Sequence, residues 1–478
     1  MGLQRWTGAR TTLCMTLLLS AAAGAGPLRV HPTNPRYFTD GTKNADGEWK
    51  AVYLTGSHTW HNLQDGGPTD PPAAFDYQGF LDFLVEQNHN FFRLWAWESP
   101  REAAWHKGTL YCEPLPYLRT GPGNGVDGKP CFDVTKFNPE YFERLRERVQ
   151  AARERGLYVG VMLFQGFSVA KKAKRAQNNP WPGHPFHRDN NINGIDGDTN
   201  SDGNGYETHT LDNPRVTALQ EAYVRRVIDT VGPFDNVVYE ISNESHGRST
   251  AWQYHMIELI RQYEKTRGWQ HPVWMSFQWD DTDGAGTNQA LFDSPAEVIS
   301  PRHGTDAREA YRTDPPVADG AKVILLDTDH LWGEGGDAAW VWKSFLRGHQ
   351  PIYMDRLAKL TGDKRGDIPG AEGVRLAMGM TRRLARRVSL AALTPHPELA
   401  STGYCLADPG HEYIVYLPQG GEVTVDLTAA SDTLAVEWLN PRSGEIVPGP
   451  SAARGTKLSF RAPFAHDAVL CLRAQSHP

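Results

Sequence analysis

Between Ala51 and Ala392 the chain repeats one pattern of polarity: a short apolar run bounded by turn residues, then a longer stretch with apolar positions three and four apart. The short runs predict buried strands at Ala51–Gly56, Phe91–Trp97, Leu157–Phe164, Val237–Ile241, Pro272–Phe277, Glu297–Ser300, Lys322–Leu326 and Pro351–Met354. The longer stretches predict helices over Asp76–Gln87, Pro139–Arg155, Asn213–Val231, Thr250–Arg267 and Gly373–Ala392, the third with Asn213 as N-cap and Pro214 in its first turn. This alternation predicts an α/β fold, a (β/α)8 TIM barrel. No Gly-x-Gly-x-x-Gly follows any strand, so a dinucleotide-binding sheet lacks its main support. From about Thr402 the helical period stops. Tyr413–Tyr416, Glu422–Leu427, Leu434–Trp438, Lys457–Phe460 and Ala468–Leu472 predict a small all-β sandwich. The expected layout is a signal peptide over 1–25, the barrel over 26–397 and the sandwich over 398–478.

At the N-terminus, Arg5 and Arg10 precede the uncharged apolar run Thr12–Ala23, and Ala23-Gly24-Ala25 offers a small-x-small cleavage pattern. A cleaved signal and a secreted or periplasmic protein are expected. The apolar run is shorter than the roughly 20 residues that span a bilayer, and no membrane partner is expected after cleavage. The net charge of −7 over 478 residues becomes about −9 once two arginines and no acids are removed. A mildly acidic chain without a basic cluster argues against nucleic acid as a partner. Cys14 leaves with the signal, and Cys112, Cys131, Cys405 and Cys471 remain. An even number in an exported chain predicts disulfides, Cys112–Cys131 and Cys405–Cys471 among three connectivities, with buried free thiols as the alternative.

Active sites of such barrels lie at the C-terminal ends of the strands. The residues expected there are His58 and Trp60; Arg93, Trp95, Trp97 and Glu98; Gln165; Asn243, Glu244 and His246; Gln278, Trp279 and Asp280; Arg302 and His303; Asp327, Asp329 and His330; and Asp355. Carboxylates, histidines and tryptophans on one face suit a carbohydrate: aromatic rings cover the apolar faces of a sugar, and carboxylates and amides fix its hydroxyls. Cleaving a glycosidic bond takes two carboxyl groups, one to protonate the leaving oxygen and one to act at the anomeric carbon or on water. Glu244 is presented where the fourth strand ends. The alternative is a surface glutamate at the start of the next helix.

On Asn243-Glu244 after the fourth strand, Arg93 on the second and the acids after the seventh, the chain resembles the clan of (β/α)8 glycoside hydrolases whose fourth strand ends in Asn-Glu. Over nearly the whole mature chain it is also similar to bacterial apiosidase-like barrels with a C-terminal β-domain that carries a collagen-binding label. The resemblance implies a glycosidase acting on a poly- or oligosaccharide without a required cofactor. It makes Glu244 the acid/base, has Asn243 bind the sugar hydroxyl beside the reacting carbon, and has Arg93 brace the nucleophile. One departure is visible. The clan has glutamate after the seventh strand, whereas Leu325-Leu326-Asp327-Thr328-Asp329-His330 offers aspartates. Asp327, where the strand run ends, is the first choice for the second carboxylate; Asp329, of the same alternation parity, is its rival. Retention, with carboxyl groups about 5–5.5 Å apart, is expected over inversion at about 6.5–9.5 Å, although the shorter aspartate widens the gap. His58, Gln165, His303 and His330 are candidates to orient a hydroxyl or a carboxylate. Trp60, Trp97 and Trp279, with Trp95 and Trp332, are candidate sugar platforms, two or more of them expected in the core.

In the long segment after the third strand, Asp198-x-Asn200-x-Asp202-Gly203 matches the front half of a calcium loop. Its twelfth position is His209 rather than a bidentate glutamate, and Glu207 is the substitute ligand. A solvated Asn/Asp/Gly turn accounts for the same residues. The competing functional reading is a non-catalytic secreted carbohydrate-binding protein on a degenerate barrel. A peptidase has less support, because neither His-Glu-x-x-His nor Gly-x-Ser-x-Gly occurs.

Overall fold

Eight parallel strands, β1 Gly56–His58, β2 Phe91–Leu94, β3 Tyr158–Gln165, β4 Val237–Asn243, β5 Val273–Ser276, β6 Val298–Ser300, β7 Val323–Asp327 and β8 Gln350–Met354, hydrogen-bond in the order β1-β8-β7-β6-β5-β4-β3-β2. The computed structural model describes residues 26–101 and 108–474; the signal expected over 1–25, with Cys14, lies outside the described residues. The circle closes between β1 and β2, where the amides of Asn90 and Phe91 donate to the Thr55 carbonyl (3.0 and 3.2 Å). The fold is a (β/α)8 barrel, as the alternation predicts. Leu54, Phe91, Val238, Trp274, Val298, Val323, Leu325 and Ile352 pack together as one cluster inside it. Their neighbours of opposite parity, such as Val237, Tyr239 and Ile241, join the core under the helices. Burial on both faces is why these strands read as continuous apolar runs.

Helices α1 Tyr77–Glu86, α2 Pro139–Glu154, α3 Pro214–Val231, α4 Thr250–Arg267, α5 Asn288–Phe292 and α6 Ala338–Leu346 return the chain between strands, and α7 Ala371–Ala385 follows the last of them. Asp76, Asn138, Asn213, Thr287 and Asp337 cap the first-turn amides of α1, α2, α3, α5 and α6. The return from β6 to β7 carries only a 3-10 turn, Ala307–Glu309, among the described residues. Helix α7 stops short of the expected Ala392. There the Ser389 amide donates to Glu412 (2.9 Å) and the Arg387 carbonyl accepts from Arg473 (2.8 Å), drawing the chain onto the C-terminal sheet.

That sheet places β9 Cys405–Asp408, β10 Glu412–Leu417, β12 Leu434–Leu439, β13 Ile446–Ala452 and β15 Ala468–Ala474 in the order β9-β10-β15-β12-β13, with Thr394–Pro395 on its edge. The pair β11 Glu422–Asp426 and β14 Lys457–Arg461 forms the second layer. One face packs on the barrel: Trp342 of α6 stacks on Tyr416 (5.9 Å), and Leu406, Ile414, Leu439 and Val469 join the barrel's core.

The expected disulfides are absent: Cys112, Cys131, Cys405 and Cys471 are all free. Cys405 pairs with Val415 and Cys471 with Ile414, on either side of β10. Adjacent residues of a strand face opposite ways, so the two thiols lie two strands apart on opposite faces, beyond the reach of a bond. Cys112 sits on a strand paired with Asp65–Gly67, its Sγ near His61 Nδ1 (4.0 Å). Cys131 sits in the hairpin Tyr117–Asn124/Pro130–Phe137 with its Sγ on the Asp189 carbonyl (3.7 Å).

Candidate active site

Arg93 and Glu240 each lie two residues beyond a side chain of the inner cluster, Phe91 on β2 and Val238 on β4, and so point into the barrel above it. Arg93 Nε and Nη2 donate to Glu240 Oε2 and Oε1 (2.9 and 2.6 Å). Nη1 donates to Asp327 Oδ2 and Asp329 Oδ2 (3.0 Å each), and Nη2 also donates to Asn243 Oδ1 (2.6 Å). The guanidinium lies over the rings of Trp95 and Trp274 (4.7 and 5.2 Å). A charge at 0% exposure persists only when paired and hydrogen-bonded, and here one cation holds acids from β4 and β7 together. Burial still holds the Glu240 carboxyl above its ordinary value against the pull of Arg93.

The two aspartates after β7 differ sharply. Asp327 ends the strand and caps the short helix Thr328–Trp332. Its Oδ1 accepts from His58 Nε2 and the Asp329 amide (2.9 Å each) and its Oδ2 from Arg93. Burial opposes its charge, but His58 and Arg93 outweigh that cost and hold its carboxyl well below the usual range. Asp329 has a side chain 12% exposed and is held, among the described residues, through Oδ2 alone. Burial and the neighbouring Asp327 push its carboxyl up to about 6, against Arg93. One aspartate is a locked anion; the other is reachable and close to titration at neutral pH.

Glu244 follows the last residue of β4 in a left-handed conformation, φ +44°, which a non-glycine residue adopts only when its surroundings impose it. Those surroundings are visible. A Cβ on Gly166, in the turn after β3, would lie 2.3 Å from the Glu244 carbonyl oxygen, so only glycine lets the two backbones approach. Lys172 Nζ donates to the same carbonyl and lies over the rings of Phe167 and Trp279 (5.0 and 5.7 Å). Asn243 Oδ1 accepts from Arg93 and from His330 Nε2 (3.3 Å), and its Nδ2 donates to Gln165 Oε1 (3.2 Å). Behind the turn runs a buried line from Ser245 Oγ to His209 Nδ1 (3.0 Å) and from His209 Nε2 to Glu98 Oε1 (3.0 Å). Ser245 is wholly enclosed, so this Ser-His-Glu line fixes the turn and presents no nucleophile. The half-buried Glu244 has its carboxyl raised well above the usual range, first by burial and then by Asp329, while Lys172, Arg93 and Arg302 act against the rise.

His330 is kept a neutral imidazole by burial, its pKa pushed down to about 3. Trp60 and Trp279 are partly exposed, the first edge-on to Trp95 (6.5 Å), the second stacked on Phe167 (5.8 Å). Trp97, 7% exposed, stacks on His61 (5.7 Å) as part of the core. His303 is partly exposed and accepts the Arg312 amide (3.2 Å). Asp355 is bound by Arg375 (2.6 Å) and Asp280 by the Tyr206 hydroxyl (2.9 Å), so both are tied to structure.

In the Asp198 loop, Asp198 accepts the amides of Asp202 (3.1 Å) and Gly203 (2.9 Å), Asn200 Oδ1 accepts that of Asp202 (2.8 Å), and Asn200 Nδ2 donates to Glu207 (3.0 Å). The loop oxygens are largely turned to the loop's own donors. Among the described residues, Asp327, Asp329 and His330 alone bring ligand atoms within 4.8 Å of one another. The Arg93 guanidinium between those aspartates opposes a cation there.

Glu240, Lys172 and His209 are missing from the residues expected at this face. A charge inside each of the apolar runs of β2 and β4 is the signal for a buried Arg93–Glu240 pair. Lys172 and His209 lie in a segment without periodicity, and no sequence signal assigns them to this face; His209 is marked only as the twelfth position of the Asp198 loop.

Residues 108–299 match a family described as "Domain of unknown function (DUF6298)", and residues 397–473 one described as "Putative collagen-binding domain of a collagenase". No curated protein matches. Among solved structures, the chain is similar to a glycoside hydrolase family 5 protein from Bacteroides vulgatus, at 12% identity and a TM-score of 0.60, over 95% of this chain and 94% of that one. It is similar to a second protein titled "Glycoside hydrolase" at 14% identity and a TM-score of 0.55, over 95% and 98%. At such identities the likeness is one of fold: the chain is built on the (β/α)8 barrel of these glycoside hydrolases, with a C-terminal β-domain matching the collagen-binding-domain family.

Proposed function

We propose that this protein is an exported glycosidase that cleaves an O-glycosidic bond of a poly- or oligosaccharide, with Glu244 as acid/base and Asp329 as nucleophile. The observation that supports the reading is the pair itself: two carboxyls at the strand ends β4 and β7, both raised by burial, Glu244 further by Asp329 and Asp329 by Asp327. Glu244 is thereby kept protonated to donate to the leaving oxygen. Asp329 ionises near neutrality with Arg93 on one oxygen. Asp327, with both oxygens engaged, serves as the anchor that aligns Arg93 and His58. In the retaining course, Asp329 displaces the protonated leaving group at the anomeric carbon, and Glu244 then deprotonates the water that releases the sugar.

The test is incubation of the mature protein with plant, algal and host glycans, following products by proton NMR. The first-formed anomer is expected to keep the substrate's configuration. Initial release of the opposite anomer overturns the nucleophile assignment, and no cleavage across the panel overturns the activity.

The pH profile should be bell-shaped. Activity falls below pH of about 6 as Asp329 takes up a proton and falls again at high pH as Glu244 loses its own. Lys172→Met removes a cation that favours ionised Glu244, so the basic limb is expected to move to higher pH. An unmoved limb would dismiss Lys172 as a positioning residue.

A further inference from the structure

Two guanidinium groups on the C-terminal face have no carboxylate partner among the described residues. Among the described residues, neither Arg302 nor Arg312 has an acid within ion-pair distance, in a chain whose net charge is −7. The acids of the loop between them are engaged elsewhere: Glu309 accepts from Asn288 Nδ2 (2.9 Å) and Asp306 pairs with Arg308 (2.7 Å). Arg302 follows β6, which lies between the strands that carry Glu244 and Asp329.

The pair is placed by built structure. Asn288 accepts from the Arg302 amide (2.9 Å) and donates to its carbonyl (2.8 Å), and the Arg302 guanidinium lies over Phe277 (5.6 Å). The Arg312 amide is held by His303, and its guanidinium lies over the partly exposed Trp332 (5.4 Å) while donating to the Leu331 carbonyl. Each cation thus rests on an aromatic face and keeps further donors in reach of solvent. The Arg302 charge acts on Glu244, where it opposes the rise of the carboxyl, and on Arg312, whose guanidinium it disfavours.

We propose that Arg302 and Arg312 form a subsite for an anionic substituent, a carboxylate or a sulfate ester, on the sugar chain near the scissile bond. This rests on the reading of the face as a glycan site and adds the substrate class: an acidic polysaccharide. Planar guanidinium forks match either anion with paired hydrogen bonds, and arginines that reach solvent without an acid of the protein keep those donors open to a substrate anion.

The experiment is a binding titration at low ionic strength of the full mature chain carrying Glu244→Gln, which leaves sugars uncut. The probes are an oligogalacturonate, a sulfated galacto-oligosaccharide, and neutral manno- and xylo-oligosaccharides of equal length. One acidic probe is expected to bind at least about tenfold more tightly than the neutral ones, to weaken with added salt, and to lose about tenfold on Arg302→Met or Arg312→Gln. Arg302→Lys should recover part of the loss. The preferred probe tells uronate from sulfate ester. No binding by any probe, tighter binding of a neutral one, or acidic binding indifferent to both arginines overturns the subsite. Acidic binding that needs the arginines, without cleavage by the unsubstituted enzyme, leaves the subsite standing and removes the glycosidase reading. Cleavage of neutral chains indifferent to the arginines does the reverse.

Discussion

Arg93→Met is expected to destabilise the fold by about 3–5 kcal/mol, the range for removing one partner of a buried ion pair. Methionine fills much of the same volume, so the cost arises from Glu240, Asp327 and Asp329, left without the cation that all three share. The sign of the pH dependence is the sharper readout. Buried carboxyls without a cation have folded-state pKa values raised above those of the unfolded chain. The folded state then binds more protons than the unfolded state, and stability falls as pH rises through the carboxylate range. Urea unfolding at pH 5 and pH 7.5 should therefore find the variant closer to the unsubstituted protein at pH 5. Equal denaturation midpoints for variant and parent at both values would dismiss Arg93 as the electrostatic centre of the barrel.

The second large effect separates the acids of the site by activity and stability together. Glu244→Gln and Asp329→Asn are each expected to lower kcat by at least about 10²–10⁴-fold, the scale of a lost general acid or base. Their stabilities should move differently from that of Asp327→Asn. Asp329 is raised by burial beside Asp327, so its charge at neutral pH costs stability, and the neutral amide should raise Tm while turnover is lost. Asp327 is lowered by His58 and Arg93, so its charge contributes stability present above its unfolded pKa and lost as pH falls. Asp327→Asn should lower Tm at neutral pH and lose that penalty in acid. If Asp327→Asn spares stability while Asp329→Asn reduces it, the roles of anchor and nucleophile are exchanged.

That exchange is the point on which the linear chain is ambiguous. Alternation parity treats Asp327 and Asp329 alike, and the end of the apolar run favours Asp327. Tertiary structure separates them, because His58 from β1 and Arg93 from β2 converge on Asp327 from strands far away in sequence. The same holds for the cysteines. An even count suggests bridges, but only the register around β10 puts Cys405 and Cys471 on opposite faces. The rim tryptophans divide likewise: Trp60 and Trp279 keep exposed surface, whereas Trp97 packs inside, a matter of loop path that periodicity does not encode.

The eight strands, the barrel, the helix cap at Asn213 and the place of Asn243-Glu244 where the fourth strand ends were legible in the linear chain. Each depends on near neighbours along the chain: apolar runs that bury both faces, capping side chains one turn away, a strand that delivers its last residues to the rim. Folding in space settled which acids share Arg93, that Lys172 reaches the Glu244 carbonyl, that Gly166 must be a glycine for Glu244 to turn, and that Arg302 and Arg312 meet no acid among the described residues. Those outcomes rest on contacts between strands and loops distant in sequence, and charge pairing depends on the distance in space that folding sets.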